Sequence, residues 1–148
     1  MAVDRRKFLK SGALAGGALI TSPWVFSTGA RAAGDIKVGV LFSLTGGLSI
    51  VEKSLHDATM MAISEINAAG GVKGMKIAPI AEDGASDPKT YNEKASKLVI
   101  QDRVPTVFGS YTSASRKAVL PVFEKRNNLY FYPTYYEGFE CSKNVVYT

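Results

Sequence analysis

Two hydroxyl-rich segments carry the chemistry that this chain can offer: Gly109-Ser110-Tyr111-Thr112-Ser113 and Tyr132-Pro133-Thr134-Tyr135-Tyr136. Each follows a short apolar run, and one helix-length stretch separates them. That spacing predicts two successive parallel strands whose carboxyl ends open onto one crevice. Tyr111, Thr112, Ser113, Tyr132, Pro133, Thr134 and Tyr135 are the candidate ligand contacts. Phenols, hydroxyls and main-chain amides would line the crevice, with few charges. Such a wall suits a small neutral ligand that makes hydrogen bonds. Ser113 can cap the helix that follows, whose first amides lack partners within the helix and attract a carbonyl or carboxylate oxygen. Taken alone, Ser113 is equally explained as a cap and Thr112 as a turn residue. The same chemistry at Thr134, with Tyr132 and Tyr135 beside it, favours a ligand site. Tyr130 and Phe131 read as packing.

Other chemistries fail on their residues. Ser110 and Ser113 have no nearby histidine, because the single histidine, His56, falls in another segment. Cys141 has no histidine partner and follows Glu140, whose charge would oppose a thiolate. An enzyme is therefore not expected, and no cofactor. Glu82, Asp83 and Asp87 form an acidic loop without the regular spacing of a hard-cation site, and Asp87 is already explained as a helix cap. No metal ligand is assigned. Gly70-Gly71-Val72-Lys73-Gly74 has the composition of a phosphate loop but follows a helix rather than a strand. With one cysteine, no internal disulfide can form.

The formal charge of +5 first suggests a nucleic-acid or membrane partner. Its distribution argues otherwise. Residues 1–32 hold Arg5, Arg6, Lys7, Lys10 and Arg31 against Asp4, and from residue 33 onward 13 basic residues face 12 acidic ones. The excess belongs to the N-terminus, so no nucleic-acid partner is expected.

The elements that must hold the two loops alternate. Ile36–Phe42 reads as a strand covered on both faces. Ser49–Ala69 reads as a helix with Val51, Leu55, Ala58, Ala62 and Ile66 on its buried face, His56 and Glu52 on its polar flank, and Gly70-Gly71 as its C-cap. Lys76–Ala81 is a weaker strand, and Pro79 marks it as a sheet edge. Asp87-Pro88 starts a helix that runs to Asp102 and buries Tyr91, Ala95, Leu98 and Val99. Thr106–Gly109 and Leu129–Tyr132 are strands that flank a helix over Ala114–Arg126, kinked or interrupted at Pro121. Val145-Val146-Tyr147 begins a fifth strand. This order predicts an α/β fold with a doubly wound parallel sheet.

Before this domain, Arg5-Arg6-Lys7-Phe8-Leu9-Lys10 opens a Gly- and Ala-rich apolar stretch that ends at Ala30-Arg31-Ala32. A charged region, a mildly hydrophobic region and an A-x-A site in that order read as an export signal. Arg5, Arg6, Phe8, Leu9 and Lys10 resemble the twin-arginine pattern, with Ala30 and Ala32 framing a cut after Ala32. The expected division is a signal peptide over residues 1–32 and a domain over 33–148, delivered to the periplasm by the twin-arginine machinery.

Several blocks also resemble a known family. Ile66-Asn-Ala-Ala-Gly-Gly-Val-Lys-Gly-Met-Lys-Ile77 is similar to the first helix-to-strand turn of periplasmic binding proteins of the leucine-binding type. Glu82–Asp87, Phe108–Val122 and Tyr132–Glu140 resemble the branch that binds urea and short-chain amides. The resemblance implies a periplasmic binding protein type I fold, a two-lobed clamshell of which this chain holds an incomplete first lobe. It further implies ligand contacts at Tyr111, Ser113, Tyr132 and Thr134, with Tyr135 standing where amide sensors carry a proline. The expected role is the substrate-binding component of an ABC transporter, passing urea or a short amide to a membrane permease. The alternatives are a branched-chain amino acid carrier, whose carboxylate would use the same helix N-terminus, and a non-functional truncation product.

Overall fold

The computed structural model describes residues 34–138 and 140–148. The export-signal residues Arg5, Arg6, Phe8, Leu9, Lys10, Ala30 and Ala32 lie outside the described residues. The elements are β1 (Ile36–Phe42), α1 (Ser49–Ala68), β2 (Ile77–Asp83), α2 (Pro88–Ser96), a π-helical turn (Lys97–Gln101), β3 (Thr106–Gly109), α3 (Ser113–Arg126), β4 (Leu129–Tyr132) and β5 (Val145–Tyr147). All five strands pair in parallel in the order β2-β1-β3-β4-β5. The chain winds outward in one direction from β1 to β2 and in the other from β3 to β5. The order therefore reverses between β1 and β3, where an open α/β sheet leaves its ligand crevice.

Burial explains this arrangement. Every residue of β1 from Val38 to Phe42 is buried. Leu41 packs with Tyr91, Leu98, Val107, Phe123 and Tyr130 on one face of the sheet. Val38, Val40 and Phe42 pack with Ile63 of α1 on the other. Tyr91, Ala95, Leu98 and Val99 are all buried, as their helical spacing predicts. β2 lies at the edge, where Pro79 removes no ladder bond that a neighbour needs. Gly109 has a physical requirement: a Cβ there would stand 2.0 Å from the carbonyl oxygen of Leu41 on the adjacent strand.

Four expectations need correction. The buried face of α1 is turned away from the predicted stripe: Val51 and Ile66 are exposed, whereas Glu52, assigned to the polar flank, is fully buried. An internal network that requires a carboxylate overrides hydropathy there. Glu52's neighbour on that flank, His56, is half-buried and bonds to Asp57 at 3.0 Å. The helix expected to reach Asp102 widens into the π-helical turn at Lys97. There Lys97 Nζ bonds the carboxylates of Glu82 and Asp102. Finally, Pro121 sits inside one continuous helix, α3. In the preceding turn, Asn92 Nδ2 of α2 donates to the Ala118 carbonyl at 2.6 Å, tying α3 to α2 beside the Lys117 carbonyl that the proline leaves without its helical donor.

Cover on both faces holds for β1 but thins along the sheet. On the α1 side, Phe108 and Phe131 stack at 4.8 Å and stay half-buried. A groove of about 420 Å³ runs there between Ile36, Ile63, Ile66 and Phe108. No helix among the described residues is long and apolar enough to cross a membrane.

Candidate ligand crevice

The crevice edge begins at the end of β1. Leu44 N and Thr45 N donate to Asp83 Oδ1 at 2.8 and 3.3 Å, and Thr45 Oγ1 donates to Oδ2 at 2.7 Å. Burial pushes the Asp83 carboxyl up, but hydrogen bonds from Thr45, Ala85 and Leu44 outweigh it and hold the group below its ordinary range. Ser86 Oγ closes the same loop by donating to the Thr45 carbonyl at 2.9 Å. Beneath it, Ser43 N donates to Glu52 Oε2 at 2.7 Å, and the Tyr91 hydroxyl donates to the same oxygen. Burial, and then the Glu52 carboxylate, push the Tyr91 phenol far up. Ser86 N donates to Ser43 Oγ at 3.0 Å, so the ends of β1 and β2 share one network.

The second loop leaves β3 through Ser110, which is buried and in the left-handed region at φ 53°. Its amide donates to the Leu41 carbonyl at 2.9 Å. The Tyr130 hydroxyl donates to the Gly109 carbonyl at 2.8 Å, which leaves Ser110 Oγ to donate to Tyr130. Both are structural pairs, in keeping with the reading of Tyr130 as packing. Thr112, rather than Ser113, is the N-cap of α3: its Oγ1 accepts from Ser115 N at 3.2 Å. Ser113 becomes the first residue of the helix, half-buried, with the helix N-terminus at the crevice.

The third loop folds onto the second. Tyr132 Oη donates to the Tyr111 carbonyl at 2.7 Å, and Thr134 Oγ1 donates to the same oxygen at 3.1 Å. Tyr135 is exposed and sets its ring edge-on to Tyr111, with centroids 6.0 Å apart. Pro133 is exposed at the turn. Tyr111, Tyr132, Thr134 and Tyr135 thus come together, with Thr112 and Ser113 on the adjoining helix start. Tyr132 is buried along its whole length and meets this edge from behind, through its bond to the Tyr111 carbonyl.

Sequence reasoning missed what lies behind that ring. The Arg116 side chain is 1% exposed. Its Nε and Nη2 donate to Glu140 Oε1 and Oε2 at 3.1 and 3.2 Å, a two-pronged pair. Its Cζ stands 4.6 Å from the Tyr132 ring centroid and 5.6 Å from that of Tyr147, within cation–π range. Nη1 donates to the Tyr135 carbonyl at 3.4 Å. Tyr147 Oη donates to Glu140 Oε1 at 3.1 Å, and Tyr136 Oη donates to the Glu140 carbonyl at 2.7 Å. Hydrogen bonding from Arg116 holds the Glu140 carboxyl below its ordinary range despite burial. Burial and this carboxylate push the Tyr147 phenol up to about 12. No local pattern announces a pairing of residues 24 positions apart. The one available signal was an arginine in the first turn of the helix right after the Tyr-Thr-Ser loop.

A parallel open sheet with alternating helices, whose hydroxyl-bearing loops meet beyond its strand ends, defines the class as an α/β lobe. Residues 36–148 match the family described as periplasmic binding protein domain, and the chain belongs to that family. Among curated relatives, "Leu/Ile/Val-binding protein homolog 7" of Brucella abortus is 33% identical over 102 residues, 69% of this chain and 25% of the relative. "Leu/Ile/Val-binding protein homolog 8" of the same organism is 34% identical over 98 residues, 66% of this chain and 24% of the relative. The chain therefore spans about a quarter of the length of these relatives. Among solved structures, the branched-chain amino acid transporter substrate-binding protein LivJ from Streptococcus pneumoniae, in complex with isoleucine, superposes with a TM-score of 0.68 at 28% identity. That match covers 70% of this chain and 30% of LivJ. An ABC-type branched-chain amino acid transporter protein from Rhodopseudomonas palustris, at 24% identity and a TM-score of 0.69, covers 77% of this chain and 32% of its own, and speaks for the fold.

Proposed function

We propose that this lobe is one jaw of an exported solute-binding protein that takes urea or a short-chain amide for an ABC transporter. The carrying observation is the convergence of Tyr132 Oη and Thr134 Oγ1 on the Tyr111 carbonyl. Each hydroxyl has spent its proton on that oxygen; half-buried Thr134 keeps a lone pair for the crevice, while buried Tyr132 holds the two loops together behind it. Lone pairs match the N–H groups of an amide. The cation beside Tyr132, Arg116, is already neutralised by Glu140, so the wall favours a ligand without net charge. Ser113 and the first amides of α3 supply donors to the ligand carbonyl. A pocket normally buries most of its ligand, so a second jaw completes this one. The proposed route is twin-arginine export to the periplasm, and the proposed partner there is a membrane permease.

A second reading has its own support, and the comparisons weigh toward it. The relatives carry branched-chain amino acid binding in their names, and LivJ was solved with isoleucine. A carboxylate could occupy the same α3 N-terminus. Thermal melting of the full-length protein separates the readings. A ligand that binds the folded state at 100 times its Kd adds about 2.7 kcal/mol. Millimolar urea destabilises through its solvent effect by only about 0.002 kcal/mol. A rise in Tm with urea or acetamide supports the amide reading. A rise with leucine or isoleucine alone supports the second.

A further inference from the structure

We propose that Arg116 is the positioning residue of the ligand wall, holding the loop after β4 in register with the loop after β3. This rests on the reading of Tyr111, Tyr132 and Thr134 as ligand contacts. Arg116 lies in the first turn of α3, just behind the Thr112-Ser113 edge, yet its side-chain partners all come from the end of β4 and the chain beyond it: Tyr132, Tyr135, Glu140 and Tyr147. One side chain therefore joins both halves of the wall.

Stability alone is a weak reason for such a group. A buried ion pair can often be replaced by packed apolar residues at no loss. Geometry gives a better reason. The guanidinium carbon stands over the Tyr132 ring while the phenol donates to the Tyr111 carbonyl, so the ring is held at its face and at its tip. Nη1 holds the Tyr135 carbonyl, which fixes the far end of the Pro133-Thr134 turn. Thr134 Oγ1 is then carried onto the Tyr111 carbonyl between two fixed points. Glu140 keeps the fork in place through both oxygens and is itself anchored by Tyr136 and Tyr147. Lysine could not do this, because an ammonium reaches one carboxylate oxygen and presents no plane to the ring.

The test uses the full-length protein, with urea, acetamide and leucine as probes. Arg116→Lys should weaken the probe that the wild type binds at least tenfold. It should also change the near-ultraviolet tyrosine dichroism and leave the far-ultraviolet spectrum intact. Glu140→Gln should act in the same direction. A lower Tm with Kd within twofold of wild type in both variants would make the pair merely structural and overturn the proposal. Should Arg116→Lys fail to fold, Tyr147→Phe removes one hydrogen bond to Glu140 and keeps the ring; a severalfold weaker Kd supports the proposal and an unchanged Kd overturns it. If the wild type binds none of the probes, the functional reading fails first. The tyrosine dichroism of Arg116→Lys then decides the positioning claim: a changed signal supports it and an unchanged one overturns it.

Discussion

The Tyr132 hydroxyl donates to the Tyr111 carbonyl across 2.7 Å, tying the end of β4 to the loop that leaves β3. Thr134 reinforces the tie at 3.1 Å. Removing either hydroxyl removes a donor from a half-buried carbonyl and loosens the tie between the loops; removing that of Thr134 also takes a lone pair from the crevice. Tyr132→Phe and Thr134→Ala should each lower stability by about 1 kcal/mol. Each should also weaken ligand binding by a similar amount or more. Denaturant unfolding and calorimetry on the same samples check both effects, and unchanged affinity in both variants would remove these residues from the site.

Thr112 and Ser113 should separate by role. Thr112 caps α3, so Thr112→Ala should cost about 1 kcal/mol of stability. Ser113 lies inside the first turn, so Ser113→Ala should leave the melting temperature nearly unchanged and weaken the bound amide by about 1 kcal/mol. The reverse pattern in melting and titration data would exchange their roles.

Glu52 accepts from the Ser43 amide and the Tyr91 hydroxyl while fully buried. Glu52→Ala would leave both donors without that acceptor and open a cavity under the first loop. A loss of about 3 kcal/mol is expected, read from the urea midpoint with the slope unchanged. A loss below 1 kcal/mol would contradict the network.

These contacts show what the sequence could and could not reveal. The alternation of elements, the strand limits at β3 and β4, and the Tyr91-Ala95-Leu98-Val99 face were legible, because parallel strands and amphipathic helices write themselves in local periodicity. Glu52 was misread for the same reason: periodicity treats every carboxylate as solvent-seeking. Its burial depends on Ser43 and on Tyr91, which stands 39 positions away. The candidate contacts were legible as loop residues, but the Arg116–Glu140 pair behind them was not, since only tertiary packing brings it together. Thr112 and Ser113 differ by one position, and hydroxyl chemistry alone cannot decide which of them caps.

Acid should destabilise this lobe. Asp83 and Glu82 are pushed up by burial, but hydrogen bonds from Thr45, Ala85 and Leu44, and from Lys94 and Lys97, lower them further. Glu140 is lowered chiefly by its hydrogen bonds with Arg116. A carboxyl whose folded pKa is depressed binds fewer protons folded than unfolded, so its contribution is fully present above its unfolded value of about 4. That contribution is lost as pH falls through the lowered folded values. Melting temperature should hold steady above about pH 5 and drop steeply below about pH 4. Glu140→Gln should flatten part of that drop. A profile equally steep in wild type and variant would contradict the role given to this pair.

A hydroxyl wall with a neutralised cation should select a neutral hydrogen-bonding ligand. Calorimetric titration of the full-length protein with acetamide, urea, acetate and leucine tests it most directly. Acetamide or urea should bind at least tenfold more tightly than acetate and leucine. Tight binding of leucine with no heat from urea or acetamide would contradict it.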